Sequence, residues 1–339
     1  MTGASVNRLV ATKGRARVLV TSVHIRRVIE RYRSLFEDRG YELVIADGGQ
    51  RLEEATLLSL VDERTVAILC SDDEITAEVI SHAPRLKVIA KWGTGTDSVD
   101  LSAAAHAGVT VVSSPGAFTD AVADTALGLI LMFGRRLRDS DRVVRQGSWD
   151  QLPGVSLRTQ VVGVIGVGRI GTAVLRRAHA FGSELFGCDV RPDAGAEISQ
   201  LGLSMLSMGE LLARADFICV CCDLNPTSHH LIGREQFRAM KRTAVIVNVA
   251  RGPIVDEAAL VDALQEGVIG GAALDVFEHE PLPLDSPLRR HPNVVLSPHN
   301  AFHAVDAVKR VHENTVHAAL RALEELAGVG ESRKLDRGS

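Results

Sequence analysis

A glycine-rich segment in the middle of the chain constrains the fold most strongly. It reads Gly-Val-Gly-Arg-Ile-Gly over residues 166–171, where it closes an apolar run at 161–165 and opens a helical pattern rich in Ala, Leu and Arg. A glycine turn between a buried strand and a helix is typical of βαβ units that bind a dinucleotide. The alternative is a Gly-rich turn in an unrelated α/β protein.

The spacing within and after this segment favours the dinucleotide interpretation. Gly166 permits a tight turn, Gly168 lets the backbone approach a pyrophosphate, and Gly171 allows close packing of helix on strand. The next apolar run ends at Asp189, where an acid is expected to bind the adenosine ribose. A carboxylate there would repel the 2′-phosphate of NADP, so it predicts NAD. Arg191, two residues on, could soften that preference, but the sequence favours a solvated arginine.

Short apolar runs alternate with helical patterns along the whole chain. The first series has runs at 17–22, 41–46, 67–70 and 87–91, and a second series begins near residue 109, with runs at 161–165, 185–189, 217–221, 245–248, 271–274 and 294–296. Such alternation predicts parallel sheets with right-handed crossovers. Aromatic residues make up only 4% of the chain, so the core must be aliphatic, which suits buried parallel strands.

Length and charge narrow the function classes. A chain of 339 residues suggests two domains, and a formal charge of −4 argues against a nucleic-acid partner. The first apolar run is too short for a signal peptide, and the most apolar stretch, 121–134, is short for a membrane span and contains Asp124. We therefore expect a cytoplasmic protein with no membrane partner.

The cysteines predict reduced core residues. There are five, and Cys219, Cys221 and Cys222 share one strand-like run in which neighbours point to opposite faces. A zinc site is a weak alternative because no second ligand cluster accompanies these cysteines in the sequence, and no metal site is expected.

A long helical pattern at 120–146 separates the two series. Its apolar part includes Val122, Ala126, Leu129 and Phe133, and its end is rich in Arg. The pattern predicts a buried connecting helix, with an oligomer interface as a second use.

Three polar residues follow apolar runs late in the chain: Arg251, Glu280 and His299. In a doubly wound sheet the carboxyl ends of the strands line the ligand crevice, so the three are expected to meet there. Arg offers a planar fork for a carboxylate, His titrates near neutrality, and Glu can hold an imidazole and sustain its charged form. Each residue alone is weak evidence for a catalytic site, but the joint occurrence of all three after a dinucleotide motif indicates catalysis.

The sequence at this point resembles the D-isomer-specific 2-hydroxyacid dehydrogenases, near the phosphoglycerate dehydrogenase and hydroxypyruvate reductase branch. The resemblance spans about residues 87–307. The matching motifs are KWGTGTDSVD at 91–100, GVIGVGRIG at 163–171, NVARG at 248–252, LDVFEHEP at 274–281 and SPH at 297–299.

The resemblance implies a fold with two doubly wound parallel-sheet α/β domains and a cleft between them. Residues 1–104 plus 299–339 would form a discontinuous, flavodoxin-like substrate domain. Residues 105–298 would form a Rossmann NAD-binding domain.

The resemblance also implies roles for matching residues. His299 would be the acid/base that protonates the keto oxygen, Glu280 would pair with it, and Arg251 would bind the substrate carboxylate and polarise the carbonyl. Backbone N–H groups of Thr94 and Gly95 would hold the carboxylate from the other domain. The implied cofactor-binding set is Gly166, Gly168, Arg169, Ile170, Gly171, Asp189, Cys222, Val249, Ala250 and Asp275, with Arg169 and Ile170 over the pyrophosphate and Asp275 on the nicotinamide carboxamide.

Glu280 also separates this chain from formate dehydrogenases of the same fold, which have Gln at that position. A substrate with no proton to transfer needs no acid/base pair. Glu280 therefore favours keto/hydroxy-acid chemistry.

The chain departs from the family pattern at several places. Phe118 stands where many relatives have Asn against the substrate, and Phe302 adds bulk where a small Gly is common after the His. Cys221-Cys222-Asp223 replaces a His-x-Pro stretch near the cofactor. Lys91 stands where phosphoglycerate-type relatives often have Arg, so it predicts either a contact with a second anionic group of the substrate or a solvated lysine at a strand end.

Taken together, the sequence predicts an NAD-dependent oxidoreductase that interconverts a 2-keto acid and a D-2-hydroxy acid. It would act as a homodimer through the NAD domain and the 120–146 helix. The alternative is an NAD(H)-sensing corepressor of the same fold, which would depend on a peptide-binding cleft that nothing in the sequence identifies.

Overall fold

The computed structural model describes residues 14–49 and 51–335, with side chains described as far as residue 326. The chain divides into two compact units. Unit 1 comprises Met1–Ala117 and Lys309–Ser339, and unit 2 comprises Phe118–Val308.

Unit 1 is built on a five-stranded parallel sheet with the order β2-β1-β3-β4-β5. Its strands are β1 (Arg17–Val20), β2 (Glu42–Ile45), β3 (Thr65–Cys70), β4 (Val88–Lys91) and β5 (Thr110–Val112). The order reverses between β1 and β3, as in the flavodoxin-like arrangement. Every residue of β3 and β4 is buried, which explains their continuous apolar runs.

Short helices connect these strands. They are α1 (Val23–Arg26), α2 (Arg33–Glu37), α3 (Glu54–Leu60), α4 (Ala77–His82) and α5 (Leu101–His106). Three follow residues whose side chains accept a backbone N–H: Ser22 accepts from Ile25 before α1, Thr76 from Val79 before α4, and Asp100 from Ala103 before α5. Such caps satisfy donors that the helix itself leaves unpaired.

Unit 2 is built on a seven-stranded parallel sheet with the order β12-β11-β10-β9-β6-β7-β8. The strands are β6 (Val161–Ile165), β7 (Glu184–Cys188), β8 (Leu203–Met205), β9 (Phe217–Val220), β10 (Val245–Asn248), β11 (Gly271–Leu274) and β12 (Val294–Leu296). The order reverses between β6 and β9, which is the Rossmann arrangement with a further strand, β12, at one edge.

The helices of unit 2 are α6 (Thr119–Gly134), α7 (Leu137–Arg145), α8 (Arg169–Ala180), α9 (Met208–Arg214), α10 (Arg234–Ala239) and α11 (Glu257–Gln265). The last helix, α12 (Val305–Leu335), begins in unit 2 and continues into unit 1. Short 3₁₀ turns lie at Ile29–Arg31, Leu157–Thr159, Ala196–Leu201, Gly252–Ile254 and Pro287–Arg289.

The predicted fold class, two doubly wound parallel-sheet α/β domains, is confirmed, with three local corrections. The run after residue 109 does not open the second series, because β5 pairs with β4 in the sheet of unit 1. The sequence also missed β8, a three-residue strand with no buried residue. The pattern at 120–146 forms two helices, because Arg136 takes a left-handed conformation with φ 52° and breaks the path after α6.

The chain leaves and rejoins unit 1 later than the predicted boundaries. These lay at 104/105 and 298/299, whereas the units meet at 117/118 and 308/309. The pairing of β5 with β4 accounts for the first shift. The roles predicted for the two units, substrate domain and NAD-binding domain, stay predictions.

Candidate active site

The carboxyl ends of the strands in unit 2 meet at one edge of the sheet, because all seven strands are parallel. Most of the predicted site residues follow these strand ends. They are Gly166 to Gly171 after β6, Asp189 after β7, Cys222 after β9, Val249 to Arg251 after β10, Asp275 and Glu280 after β11, and His299 after β12.

The glycine turn after β6 lies at the point where the strand order reverses. Gly166 has φ 91°, and a Cβ there would lie 2.5 Å from the backbone nitrogen of Cys222. A Cβ on Gly171 would lie 2.1 Å from the carbonyl oxygen of Gly166. Both positions therefore require glycine.

Gly168 differs from these two glycines, since a Cβ there would meet nothing within 4 Å. It precedes α8, a helix of 12 residues that starts at Arg169. Open space in front of a helix N-terminus, bordered by a tight glycine turn, fits the pyrophosphate of a dinucleotide. Arg169 and Ile170 form the first turn of that helix, as the pyrophosphate role requires.

Asp189 follows β7 with a side chain that is only 7% exposed, and it holds four N–H donors. Its carboxylate accepts from the backbone of Val167 at 2.8 Å and of Arg191 at 2.9 Å, and from Arg191 Nε at 3.1 Å and Nη2 at 3.0 Å. Hydrogen bonding to the Arg191 side chain lowers the pKa of Asp189. Asp189 lies where the ribose-binding acid was predicted, and Arg191 pairs with it although the Arg191 side chain is 54% exposed.

The strand-end cysteines are thiols rather than thiolates. Burial raises the pKa of Cys222 to about 11, and that of Cys221 also lies well above its usual value because of burial. All five cysteines are free. Within residues 14–49 and 51–335, no group of three or more His, Cys, Asp or Glu side chains could hold a metal ion.

His299 and Glu280 form a direct pair. His299 Nδ1 lies 2.7 Å from Glu280 Oε2, and the other carboxylate oxygen, Oε1, accepts the backbone N–H of Phe277 at 3.0 Å. His299 has φ 51°, an uncommon conformation for a non-glycine residue. The structure therefore brings together the acid/base pair that the resemblance implied.

Asp275 holds the turn that carries His299. The Asp275 side chain is buried and accepts from Ser297 Oγ at 2.5 Å and from the backbones of Asn300 at 2.8 Å and Ala301 at 3.0 Å. Its own carbonyl accepts the His299 N–H at 2.7 Å. These bonds fix the left-handed turn. The nicotinamide role predicted for Asp275 stays a prediction beside this structural one.

Arg251 follows β10, which pairs with β11, the strand that precedes the Glu280 loop. Buried Asn248 shapes its loop: Asn248 Nδ2 donates to the Arg251 carbonyl at 2.9 Å, and Asn248 Oδ1 accepts from Ala250 N at 3.1 Å. Val249 and Ala250, predicted for the cofactor set, are the backbone of this loop. The side chain of Arg251 is half-buried and donates to the Ala250 carbonyl at 2.9 Å.

Aromatic rings pack beside the His299–Glu280 pair. The Phe302 ring lies 6.1 Å from the His299 ring in an edge-on arrangement, and buried Phe118 lies 5.2 Å from Phe302. Phe302 also stacks on His303 at 5.6 Å. Two of the departures from the family pattern, Phe118 and Phe302, therefore form one apolar wall next to His299.

The predicted substrate residues of unit 1 lie at and after the end of β4. Lys91 is 2% exposed, and its Nζ lies 2.7 Å from Asp72 Oδ1, so it is not the solvated lysine that was the alternative. Thr94 and Gly95 follow in the loop before α5. Their backbone role toward the substrate stays a prediction.

Sequence analysis did not identify three residues that contact predicted site residues or their loops, one in unit 1 and two in unit 2. Asp72 compensates Lys91, while His230 and Glu257 both bind Glu278 in the loop before Glu280. The Lys91–Asp72 pair spans adjacent strands, and His230 lies 48 residues before Glu278. The sequence signal for the importance of this loop was its place in the motif LDVFEHEP at 274–281.

Comparisons with known proteins fit this geometry. The family model for the NAD-binding domain of D-isomer specific 2-hydroxyacid dehydrogenases matches residues 127–301. A glyoxylate reductase of Thermofilum pendens is 41% identical over 254 residues, which is 73% of this chain and 75% of that protein.

Two solved structures are similar over nearly the whole chain. The D-lactate dehydrogenase of Aquifex aeolicus, complexed with NAD and lactic acid, has a TM-score of 0.79 and 28% identity, and covers 92% of this chain and 98% of its own. The NADPH-dependent glyoxylate/hydroxypyruvate reductase of Sinorhizobium meliloti, in complex with NADP and malonate, has a TM-score of 0.78 and 33% identity, and covers 89% and 92%.

The strand order and the glycine turn are those of a dinucleotide-binding domain. The chain belongs to the D-isomer specific 2-hydroxyacid dehydrogenase family. It is thus an NAD-dependent enzyme that interconverts 2-keto and 2-hydroxy acids. The relatives described above are reductases and dehydrogenases, so they lend no support to the corepressor alternative. Among the described residues, no helix is long and apolar enough to cross a membrane.

Proposed function

We propose that this enzyme reduces a small 2-keto acid, of the size of glyoxylate or hydroxypyruvate, to the D-2-hydroxy acid with NADH. The 2.7 Å contact between His299 Nδ1 and Glu280 Oε2 carries the proposal, because it is the acid/base pair that keto-acid reduction requires. The names of the glyoxylate reductase relatives support a small substrate.

The residues divide the chemistry among them. When bound, the nicotinamide supplies the hydride. His299 holds the proton destined for the keto oxygen on Nε2, while Glu280 accepts the Nδ1 hydrogen and stabilises the charged imidazolium. Arg251 binds the substrate carboxylate through its planar guanidinium, for which Lys is a poor substitute. In the reverse direction His299 takes the proton back.

The apolar wall supports a size limit for the substrate. Phe118 and Phe302 occupy space beside His299 that an Asn and a Gly would leave open. We propose that this wall excludes bulky 2-keto acids. Thr94, Gly95 and Lys91 keep their proposed roles in holding the substrate from unit 1.

A panel of 2-keto acids tests the proposed function directly. Each acid is mixed with NADH, and the loss of NADH absorbance is followed for the wild type and for H299A. We expect turnover of glyoxylate or hydroxypyruvate by the wild type alone, with a D-configured product from hydroxypyruvate. Tight NADH binding without turnover of any 2-keto acid would contradict the proposal and favour the corepressor-like alternative.

We also propose that the enzyme is a homodimer through unit 2, at the segment formed by α6 and α7. The helix α7 has no buried residue, and its Leu137 and Val144 are 55% and 54% exposed. Trp149, just after it, is 84% exposed. Apolar side chains in that number on one segment are typical of an interface.

Solution mass measurement tests the dimer. We expect W149E and V144E to be monomeric by light scattering, while L284E stays dimeric, because Leu284 is equally exposed but lies elsewhere in unit 2. A monomeric wild type would contradict the proposal.

The proposed location is the cytoplasm, which agrees with five free thiols.

A further inference from the structure

The loop that carries Glu280 is held by a second histidine–carboxylate contact. Glu278 Oε1 lies 2.8 Å from His230 Nε2, and the same oxygen accepts the backbone N–H of Glu257 at 3.0 Å. Because a carboxylate can only accept here, His230 Nε2 is the donor. Two donors on one oxygen fix the direction of the Glu278 side chain.

Glu257 returns the contact. Its Oε2 accepts the backbone N–H of Glu278 at 3.3 Å, so the start of α11 and the Glu278 loop are joined by a reciprocal pair of hydrogen bonds. Glu257 is half-buried, and burial, together with the nearby charge of Glu278, raises the pKa of Glu257. The reciprocal hydrogen bonds therefore bring the carboxylates of Glu257 and Glu278 close together. Their electrostatic repulsion is a cost in stability that a loop with a purely structural role does not need.

The same loop is packed against the Arg251 strand end. A Cβ on Gly252 would lie 1.9 Å from the carbonyl carbon and oxygen of Phe277, so only glycine fits there. The segment after Gly252 is in turn tied to His230, whose N–H donates to the Pro253 carbonyl at 2.8 Å. His230 has φ 49°, and such a conformation persists where the surroundings enforce it.

These contacts lead to the catalytic pair in two steps. The peptide between Phe277 and Glu278 is fixed by Gly252 and Glu257, and its neighbouring amide, Phe277 N, donates to Glu280 Oε1 at 3.0 Å. The other oxygen of Glu280 holds His299 Nδ1 at 2.7 Å. All of these residues lie in unit 2.

We propose that Glu278, held by His230 and Glu257, is a positioning residue that aims Glu280 at His299 and keeps the Arg251 loop in register with that pair. It does not touch the reacting atoms. The proposal rests on the proposed role of Glu280 and His299 in proton transfer.

Other titratable groups face this cluster. The His229 ring lies tilted by 31° against the His230 ring with centres 4.1 Å apart, and the charge of His279 acts on Glu257. Any pH effect of a Glu278 variant must be compared with variants of these neighbours, so H229Q and H279Q serve as references.

The test compares E278A, E278Q and H230Q with a matched control, E78A. Glu78 forms an exposed pair with His82 at 3.5 Å on α4, so the control removes the same kind of contact in the other unit. The measurements are kcat, KM, the pH profile of keto-acid reduction, and the Kd for NADH from fluorescence.

We expect E278A to lower kcat by about tenfold to a hundredfold, since a displacement of about 1 Å in a catalytic group can cost that much. The alkaline limb of its pH profile moves to lower pH, because a misplaced Glu280 stabilises the imidazolium less well. The Kd for NADH stays within about twofold, and E278Q recovers most of the rate because its amide oxygen can still accept from Glu257 N.

An E278A enzyme with unchanged kcat and an unchanged pH profile overturns the proposal, while loss of activity in H299A in the same experiment shows that the proposed function stands. Should E278A fail to fold, H230Q tests the proposal by the same measurements, with a smaller effect expected because it removes one of the two donors to Glu278. Equal changes in E278A and E78A also overturn it.

Discussion

Glu280 binds two partners with two different oxygens: Oε2 lies 2.7 Å from His299 Nδ1, and Oε1 accepts Phe277 N at 3.0 Å. The carboxylate is therefore oriented before substrate arrives, and it can stabilise a charged imidazole without turning. In the proposed mechanism, the Glu280 contact occupies Nδ1 of His299 and leaves Nε2 for proton exchange with the substrate.

Replacing Glu280 by Gln should impair reduction strongly. The amide NH₂ of Gln would donate to Nδ1 and hold the imidazole neutral, which removes the acid needed at the keto oxygen. We expect kcat to fall by a factor on the order of 10²–10⁴, as for loss of general acid catalysis. Stopped-flow reduction at several pH values measures it, with NADH binding as the control. An E280Q enzyme with wild-type kcat near neutral pH would rule out the assignment.

Arg191 should govern the choice between NADH and NADPH. Two of the four donors to Asp189 come from its side chain, yet that side chain is 54% exposed and can leave at little cost. Removing the Arg191 side chain frees the Asp189 carboxylate for a ribose. It also removes the only side-chain cation among the described contacts of Asp189. In R191A we expect the Kd for NADPH to rise by about tenfold or more, the value of one charge-assisted bond, with a smaller change for NADH.

Fluorescence titration with each cofactor gives both constants. The matched control is R214A, because Arg214 is equally exposed in unit 2 and pairs with Glu184 instead. A ratio of the two constants that is identical in wild type, R191A and R214A would show that Arg191 has no part in the selection.

Most of unit 2 could be predicted from the sequence because the contacts that define it lie within short segments or within recognisable motifs. The glycine turn from Gly166 to Gly171 predicts the strand before it and the helix after it. Glu280 and His299 are recognised from the motif residues beside them. The engagement of Asp275 with the His299 turn was not foreseeable, because it joins β11 to the loop after β12. Likewise, the position of Arg136 in a left-handed conformation depends on packing after α6, so the pattern alone indicated one continuous helix.

Lys91 shows the same limit for unit 1. The sequence places a cation at the end of β4, but its partner Asp72 follows β3 and becomes visible only when the two strands pair. The second-anion prediction therefore needs a quantitative test. If it is right, K91M should lower kcat/KM for a 2-keto acid with a second carboxylate or phosphate by about tenfold or more relative to glyoxylate.

The double variant D72N/K91M controls for the charge left behind on Asp72. It should show the same selective loss if the lysine meets the substrate. Should both variants treat singly and doubly charged substrates alike, Lys91 has a structural role toward Asp72 and the second-anion prediction is wrong.

Phe118 and Phe302 should limit the size of the substrate. Truncating either ring opens the wall beside His299 and removes aromatic contact worth roughly 0.5–1.5 kcal/mol per pair. We expect F302A to raise kcat/KM for a branched 2-keto acid such as 2-ketoisocaproate relative to glyoxylate, and F118A to do so as well, since Phe118 packs against Phe302. The conservative F302L should change the ratio least. A ratio that does not move in F302A would place the wall outside the substrate site.

His312 should make unit 1 sensitive to mild acid. It is half-buried on α12, with its ring 5.8 Å from Trp92, and burial followed by the charge of Arg31 lowers the pKa of His312. A histidine with a lowered folded-state pKa contributes its full stability above its unfolded value of about 6.5, and that stability is lost as the pH falls through the folded value. The wild type should therefore lose stability relative to H312Q on going from neutral pH to about pH 5.

Trp92 provides the measurement, because the chain has only two tryptophans and W149F leaves Trp92 as the single reporter of unit 1. Urea unfolding of W149F and W149F/H312Q is followed by fluorescence at both pH values. H312Q also changes the packing beside Trp92, which shifts stability equally at both, so the difference between the two pH values isolates the protonation of His312. A stability gap between the variants that is the same at both pH values would contradict the lowered pKa.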